Sequence, residues 1–147
     1  ATKVGAILSN KEIKEKEALE FYGKNLGLTF QIADDTLDYN SDLKFFGKEI
    51  GKDFFEGKIT LPVILLFQNI TSTEKNRLKN IFKQESRSIE DLRFTLTLIK
   101  KYNIIKECYK KAEHFINLAS NSLTAFKDSD EKKILENLTS FSLERSF

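Results

Sequence analysis

Helix breakers are scarce in this chain: one proline and six glycines in 147 residues, five of the glycines falling between positions 23 and 57. Leu, Ile, Phe, Lys and Glu recur at three- and four-residue spacing from end to end, the period of amphipathic helices. No alternating run of β-branched residues reaches the length of a strand. The pattern predicts an all-α fold, a helical bundle. Helices are expected over residues 11–39, 61–69, 72–84, 88–101, 104–126 and 129–143, with an irregular loop over 40–57. Asn10 is the expected N-cap of the first. Thr60 caps the second, with Pro62 in its first turn, and Ser72 or Thr73 precedes Glu74 at the third. Val4, Ala6, Ile7 and Leu8 read as the tail of a helix ending near Ser9-Asn10, with no methionine in front. That beginning suggests a start inside a longer protein. No repeat, low-complexity linker or domain boundary is visible, so residues 1–147 read as part of one domain.

Charge narrows the function classes. A net charge of +2, with lysines spread among glutamates, is the pattern of solvated helix faces and not of a phosphate-tracking basic stripe, so no nucleic-acid partner is expected. A lone cysteine, Cys108, excludes an internal disulfide framework and suggests a reducing, cytoplasmic setting. The longest apolar run, Leu61 to Phe67, is too short to span a bilayer.

The stretch Gln31-Ile-Ala-Asp34-Asp35-Thr-Leu-Asp38-Tyr39 carries the chemistry. Residues three and four apart share a helix face, so Gln31, Asp34, Asp35 and Asp38 form one polar patch. Leu26, Phe30, Ala33 and Leu37 make an apolar stripe on one side of it, and Leu28, Ile32 and Tyr39 a second on the other. A helix apolar on both flanks is largely buried, which turns the patch toward the interior or a cavity. Carboxylates there repel one another and are costly to keep ionised unless a cation or hydrogen bonds compensate them. Oxygen-only donors favour a hard ion, and Mg²⁺ keeping several waters fits them. A solvated acidic face is the plain competitor. A calcium loop from Asp38 through Asn40 and Asp42 to Glu49 is a poorer one: Leu43 stands where the sharp turn needs glycine, and Phe46 where a polar group belongs.

The carboxylates sit in a longer ordered set: Phe30-Gln31, Asp34-Asp35-Thr36-Leu37-Asp38, Gly47-Lys48, Gly51-Lys52-Asp53, Glu56-Gly57-Lys58 and Thr60-Leu61-Pro62. This block, residues 27–62, resembles the second aspartate-rich region of trans-prenyl diphosphate synthases, the octaprenyl or similar long-chain type more than the farnesyl type. The resemblance implies an isoprenoid-synthase-type fold. It also implies Mg²⁺-dependent condensation of isopentenyl diphosphate with an allylic diphosphate. By the same resemblance Asp34, Asp35 and Asp38, with Asp34 foremost, hold Mg²⁺ on the allylic diphosphate. Gln31 lines that site, and Lys48 and Lys58 bind diphosphate oxygens. Asp53 matches an acid near the metals without an assigned role. The Gly-Lys and Glu-Gly-Lys elements favour chain elongation over terpene cyclisation. The chemistry suits the residues: ionising a carbon–oxygen bond needs charge stabilisation on the departing diphosphate and a dry cavity for the cation.

The family places a first aspartate-rich motif upstream, and this chain has no second DDxxD. The chain is therefore expected to be the C-terminal portion of a synthase domain, inactive alone and partnered by an N-terminal half or by a second copy. The alternative is a non-catalytic interaction subunit or remnant of a split synthase. His114 and Cys108 read as ordinary helix residues, one at the surface or in packing and one in the core.

Overall fold

The computed structural model describes residues 2–10, 12–40 and 50–144. Every regular element among them is helical: α1 (Thr2–Leu8), α2 (Ile13–Leu37), α3 (Lys52–Phe55), α4 (Leu61–Asn69), α5 (Ser72–Lys83), α6 (Ile89–Lys101), α7 (Ile104–Ser122), a 3₁₀ turn (Leu123–Ala125) and α8 (Asp130–Glu144). The all-α expectation holds.

Several boundaries move, each for a local reason. Asn10 does not cap α2; it sits at φ 50, in the left-handed region where asparagine often closes a helix, and its N–H reaches the Ile7 carbonyl. The start of α2 is held by Glu12, whose carbonyl accepts from Lys16 N–H and whose own N–H donates to the Glu15 carboxylate. Thr71 caps α5, not Ser72 or Thr73: it forms a full capping box with Glu74. Ser88 and Asp91 build the same box at α6. Thr60 precedes α4 without a side-chain capping bond, while Pro62 sits in the first turn as expected. Within the stretch expected to be irregular, Lys52–Phe55 form a helical turn, α3; residues 41–49 lie outside the described residues. The long helix from 104 closes at Ser122, and its expected last residues tighten into the 3₁₀ turn.

The chain forms two compact units, residues 1–31 with 110–147, and residues 32–109. In the first, Tyr22 and Leu26 of α2 pack with Ile116 and Ala119 of α7 and with Leu123. The Tyr22 hydroxyl donates to the Leu135 carbonyl (2.9 Å), tying α2 to α8. Gly23 lets α1 approach α2, because a Cβ there would collide with the Thr2 hydroxyl, which itself donates to the Leu19 carbonyl (2.6 Å). In the second unit α4 packs on α6. Phe54, Val63, Leu66, Leu78 and Ile104 are fully buried, each worth about 1.5–3 kcal/mol relative to exposure. Phe54 meets Phe82 edge to face, with centroids 5.5 Å apart, so α3 is fastened to α5 by aromatic packing.

Candidate diphosphate and metal face

All three aspartates of the DDxxD stretch belong to the second unit, but they do not share one environment. Asp34 is exposed, whereas Asp35 and Asp38 are buried, with 9% and 4% of their surface open. The expectation that the whole patch turns inward is thus corrected for Asp34. Gln31, in the first unit, is exposed as well, and so are Leu28 and Phe30 at 39% each. α2 stops at Leu37, and the backbone at Gly51, Lys52 and Asp53 bonds to Asp38, while Asp34 on the preceding turn stays open to solvent.

Asp38 is the best-defined carboxylate of the set. Lys52 N–H donates to its Oδ1 (3.1 Å) and Asp53 N–H to its Oδ2 (2.9 Å). Gly51 N–H reaches the Asp38 carbonyl (3.0 Å). Asp38 therefore does the work of a helix N-cap for α3, whose own N-cap residue, Gly51, has no side chain to offer. Gly51 lies at φ 87, and a Cβ on it would strike the Leu92 side chain at 2.7 Å. Charge-assisted bonds of this kind are roughly twice as strong as neutral ones.

α3 then organises the Glu-Gly-Lys turn. Lys58 N–H donates to the Asp53 carbonyl (2.9 Å), and Lys58 Nζ pairs with Asp53 Oδ1 (3.0 Å) and Glu56 Oε2 (2.6 Å). The pair with Glu56, then that with Asp53, holds the ammonium pKa above the usual lysine range. Gly57 adopts φ 74 beneath the Arg87 guanidinium, where a Cβ would meet Nη2 at 2.7 Å. Arg87 donates to the carbonyls of Phe55 (3.3 Å) and Phe82 (3.1 Å), so it pins this turn to the end of α5.

Tyr39, 1% exposed, lies behind the aspartates. Burial raises its phenol pKa, and the charges of Asp38 and Asp53 raise it further. The Thr60 hydroxyl lies beside it without a well-formed hydrogen bond, and both hydroxyls are buried without one. On α7, the buried Cys108 thiol is pushed up to about 11, chiefly by burial, which makes it an inert core group, as the sequence suggests. His114 is exposed against Phe115. Lys48, and with it the calcium-loop positions 42 to 49, lies outside the described residues.

Which ion these residues suit follows from their donors. No group of three His, Cys, Asp or Glu side chains among the described residues can hold an ion alone. Oxygen donors with only Asp34 open to water fit a hard cation that keeps several waters and completes its shell with phosphate oxygens; magnesium meets that description. Among the described residues no helix is long and apolar enough to cross a membrane.

Comparison with known proteins shows the family of the chain. Residues 1–99 match the polyprenyl synthetase family model. A short chain isoprenyl diphosphate synthase of Methanothermobacter thermautotrophicus is 32% identical over 99% of this chain and 44% of its own length. The fold is similar to the matching part of the decaprenyl diphosphate synthase from Rhodobacter capsulatus, with TM-score 0.91 at 29% identity, covering 99% of this chain and 45% of that one. A polyprenyl synthase from Caulobacter crescentus, solved with calcium and isoprenyl diphosphate, matches with TM-score 0.86 at 32% identity over 99% of this chain and 44% of its own. This chain therefore spans less than half the length of these relatives. It belongs to the polyprenyl synthetase family.

Proposed function

We propose that this chain is the C-terminal portion of one polyprenyl synthase domain and supplies the diphosphate-holding face for Mg²⁺-dependent prenyl transfer. The condensation joins isopentenyl diphosphate to an allylic diphosphate. One observation carries the reading. Exposed Asp34 stands one helical turn before buried Asp38, and Asp38 is bonded to the segment that bears Lys58. A carboxylate open to solvent and a fixed ammonium thus come from one short, cross-braced stretch of the second unit.

Asp34, foremost, with Asp35 and Asp38, would hold the Mg²⁺; when bound, the ion neutralises charge developing on the departing diphosphate. Lys58 offers an ammonium to a diphosphate oxygen, a point charge that needs no particular orientation. Gln31 and Lys48 carry diphosphate contacts on the strength of the resemblance alone. The apolar residues that the first unit exposes on α1 and at the start of α2 (Val4 55%, Ile7 51%, Leu8 81%, Ile13 74%) support a partner, either the N-terminal half of a synthase or a second copy. Prenyl transfer then requires that partner, and the cytoplasm is the setting.

The reading is tested by titrating magnesium pyrophosphate into this chain, alone and with the N-terminal half of a relative. Binding that weakens at least tenfold in Asp34→Ala is expected. Equal affinity in Asp34→Ala and wild type, with the helical signal retained in both, would overturn it.

A further inference from the structure

The 50–58 segment raises a question that its diphosphate role leaves open. Lys58 is exposed and lies beyond a four-residue helix, and the carboxylate it meets in its own turn, Glu56 (2.6 Å), is itself 43% exposed, against 17% for Asp53. A free lysine side chain carries substantial rotamer entropy, and an exposed ion pair adds little stability by itself. The firmer of its two anchors is therefore the less exposed one, Asp53 in α3.

We propose that Asp38 and Asp53 form a positioning relay that sets the ammonium of Lys58. Asp38 fixes the first two backbone N–H groups of α3, at 3.1 and 2.9 Å. That fixes the backbone of Asp53. Asp53 then takes hold of Lys58 twice, through its carbonyl to the Lys58 N–H (2.9 Å) and through its carboxylate to Nζ (3.0 Å). Every link is a hydrogen bond that the structure shows. The relay assigns a role to Asp53, which the aspartate motif does not contain. It also gives Asp38 a task distinct from that of Asp34: both of its oxygens already accept a backbone N–H, while Asp34 faces solvent. Of the three donors on the Lys58 ammonium, two go to Asp53 and Glu56. The third serves a diphosphate oxygen, and this last step alone rests on the function proposed above.

The test separates the relay from that function. Side-chain NMR of the 147-residue chain reads the order of the Lys58 ammonium and the hydrogen-exchange protection of the Lys52 and Asp53 amides. Asp38→Ala should reduce protection at those two amides about tenfold or more, since each loses a bond to a charged acceptor. Amides of α5 and α6 should stay as in wild type. In the same variant the Lys58 ammonium should become as mobile as in Asp53→Asn, whereas Glu56→Gln should leave most of its order intact. Asp38→Asn, which retains one acceptor oxygen, should give partial rescue. A Lys58 ammonium equally ordered in wild type, Asp38→Ala and Asp53→Asn overturns the relay. If Asp38→Ala does not fold, Asp53→Asn against Glu56→Gln decides the final link, and equal effects there also overturn it. Magnesium pyrophosphate is then added. A Lys58 response in wild type that is weakened in both aspartate variants supports relay and function together. A response of wild-type strength in all three overturns the relay's part in binding. No response in wild type, with the order changes present, upholds the relay and removes Lys58 from the diphosphate site.

Discussion

Helices α5 and α3 are started in opposite ways. α5, like α6 after it, carries its own start signal: Thr71 and Glu74 close a box within four residues, as do Ser88 and Asp91. α3 has no side-chain cap of its own and borrows one from Asp38, fourteen residues before Lys52. A self-capped helix keeps its start wherever the rest of the chain goes. A helix capped from a distance exists only while two parts of the chain stay together, and here one part carries the acidic motif and the other the Glu-Gly-Lys turn. The first arrangement suits scaffolding; the second couples the two parts of the proposed binding face.

The largest test of this contrast is Asp38→Ala. It leaves two backbone N–H groups without their charged acceptor and should cost about 3 kcal/mol in urea unfolding. If it costs no more than loss of a local cap, α3 does not depend on Asp38 and the contrast fails. Gly57→Ala should come next, at about 2 kcal/mol: it forces a side chain into the left-handed region and presses on the Arg87 guanidinium, whose two carbonyl bonds must give. Arg87→Ala together with Gly57→Ala should be less than additive, because the first mutation clears the space the second needs. Thr71→Ala should cost about 1 kcal/mol, the ordinary worth of an N-cap.

The smallest effect is a pH dependence. The Glu74 carboxylate accepts from Lys101, Tyr102 and Thr71, in that order of influence, and its pKa falls from 4.5 to about 2. A carboxylate whose pKa is lower in the folded state stabilises fully above its unfolded pKa and loses that stabilisation as the pH falls toward the folded value. Melting temperature should therefore sag between pH 4.5 and about 2, and Glu74→Gln should flatten that part of the profile. A profile in the variant that matches wild type would show that the α5–α6 brace contributes nothing there.

The same contrast explains what could be read from the sequence. α4 through α8 were legible to within a few residues because periodicity and caps are local signals. The α5 cap was misplaced at Ser72 or Thr73 although its signal is in the sequence, since Thr71 stands three before Glu74, the spacing of the capping box. α3 was hidden: its four residues carry no helical period, and its cap is spelled at Asp38. The motif order over 27–62 disclosed the candidate site, and the family match supports that recognition. The split between exposed Asp34 and buried Asp38 was not legible, because helical spacing alone puts both on one face. It takes the end of α2 and the returning backbone at Gly51 to divide them. Nor could the sequence tie Lys58 to Asp53, since most lysines here are ordinary surface residues.

The bend between α5 and α6 bears on Lys58 without touching it. Arg87 reaches from that bend across Gly57 to the Phe55 carbonyl, so positions 57 and 87 answer to each other. In related chains a side chain at 57 should accompany a shortened residue at 87, while residues 84–86, exposed and outside this clasp, should drift in composition with little consequence. An insertion in the bend would be felt as a loosened ammonium on the far side of the clasp.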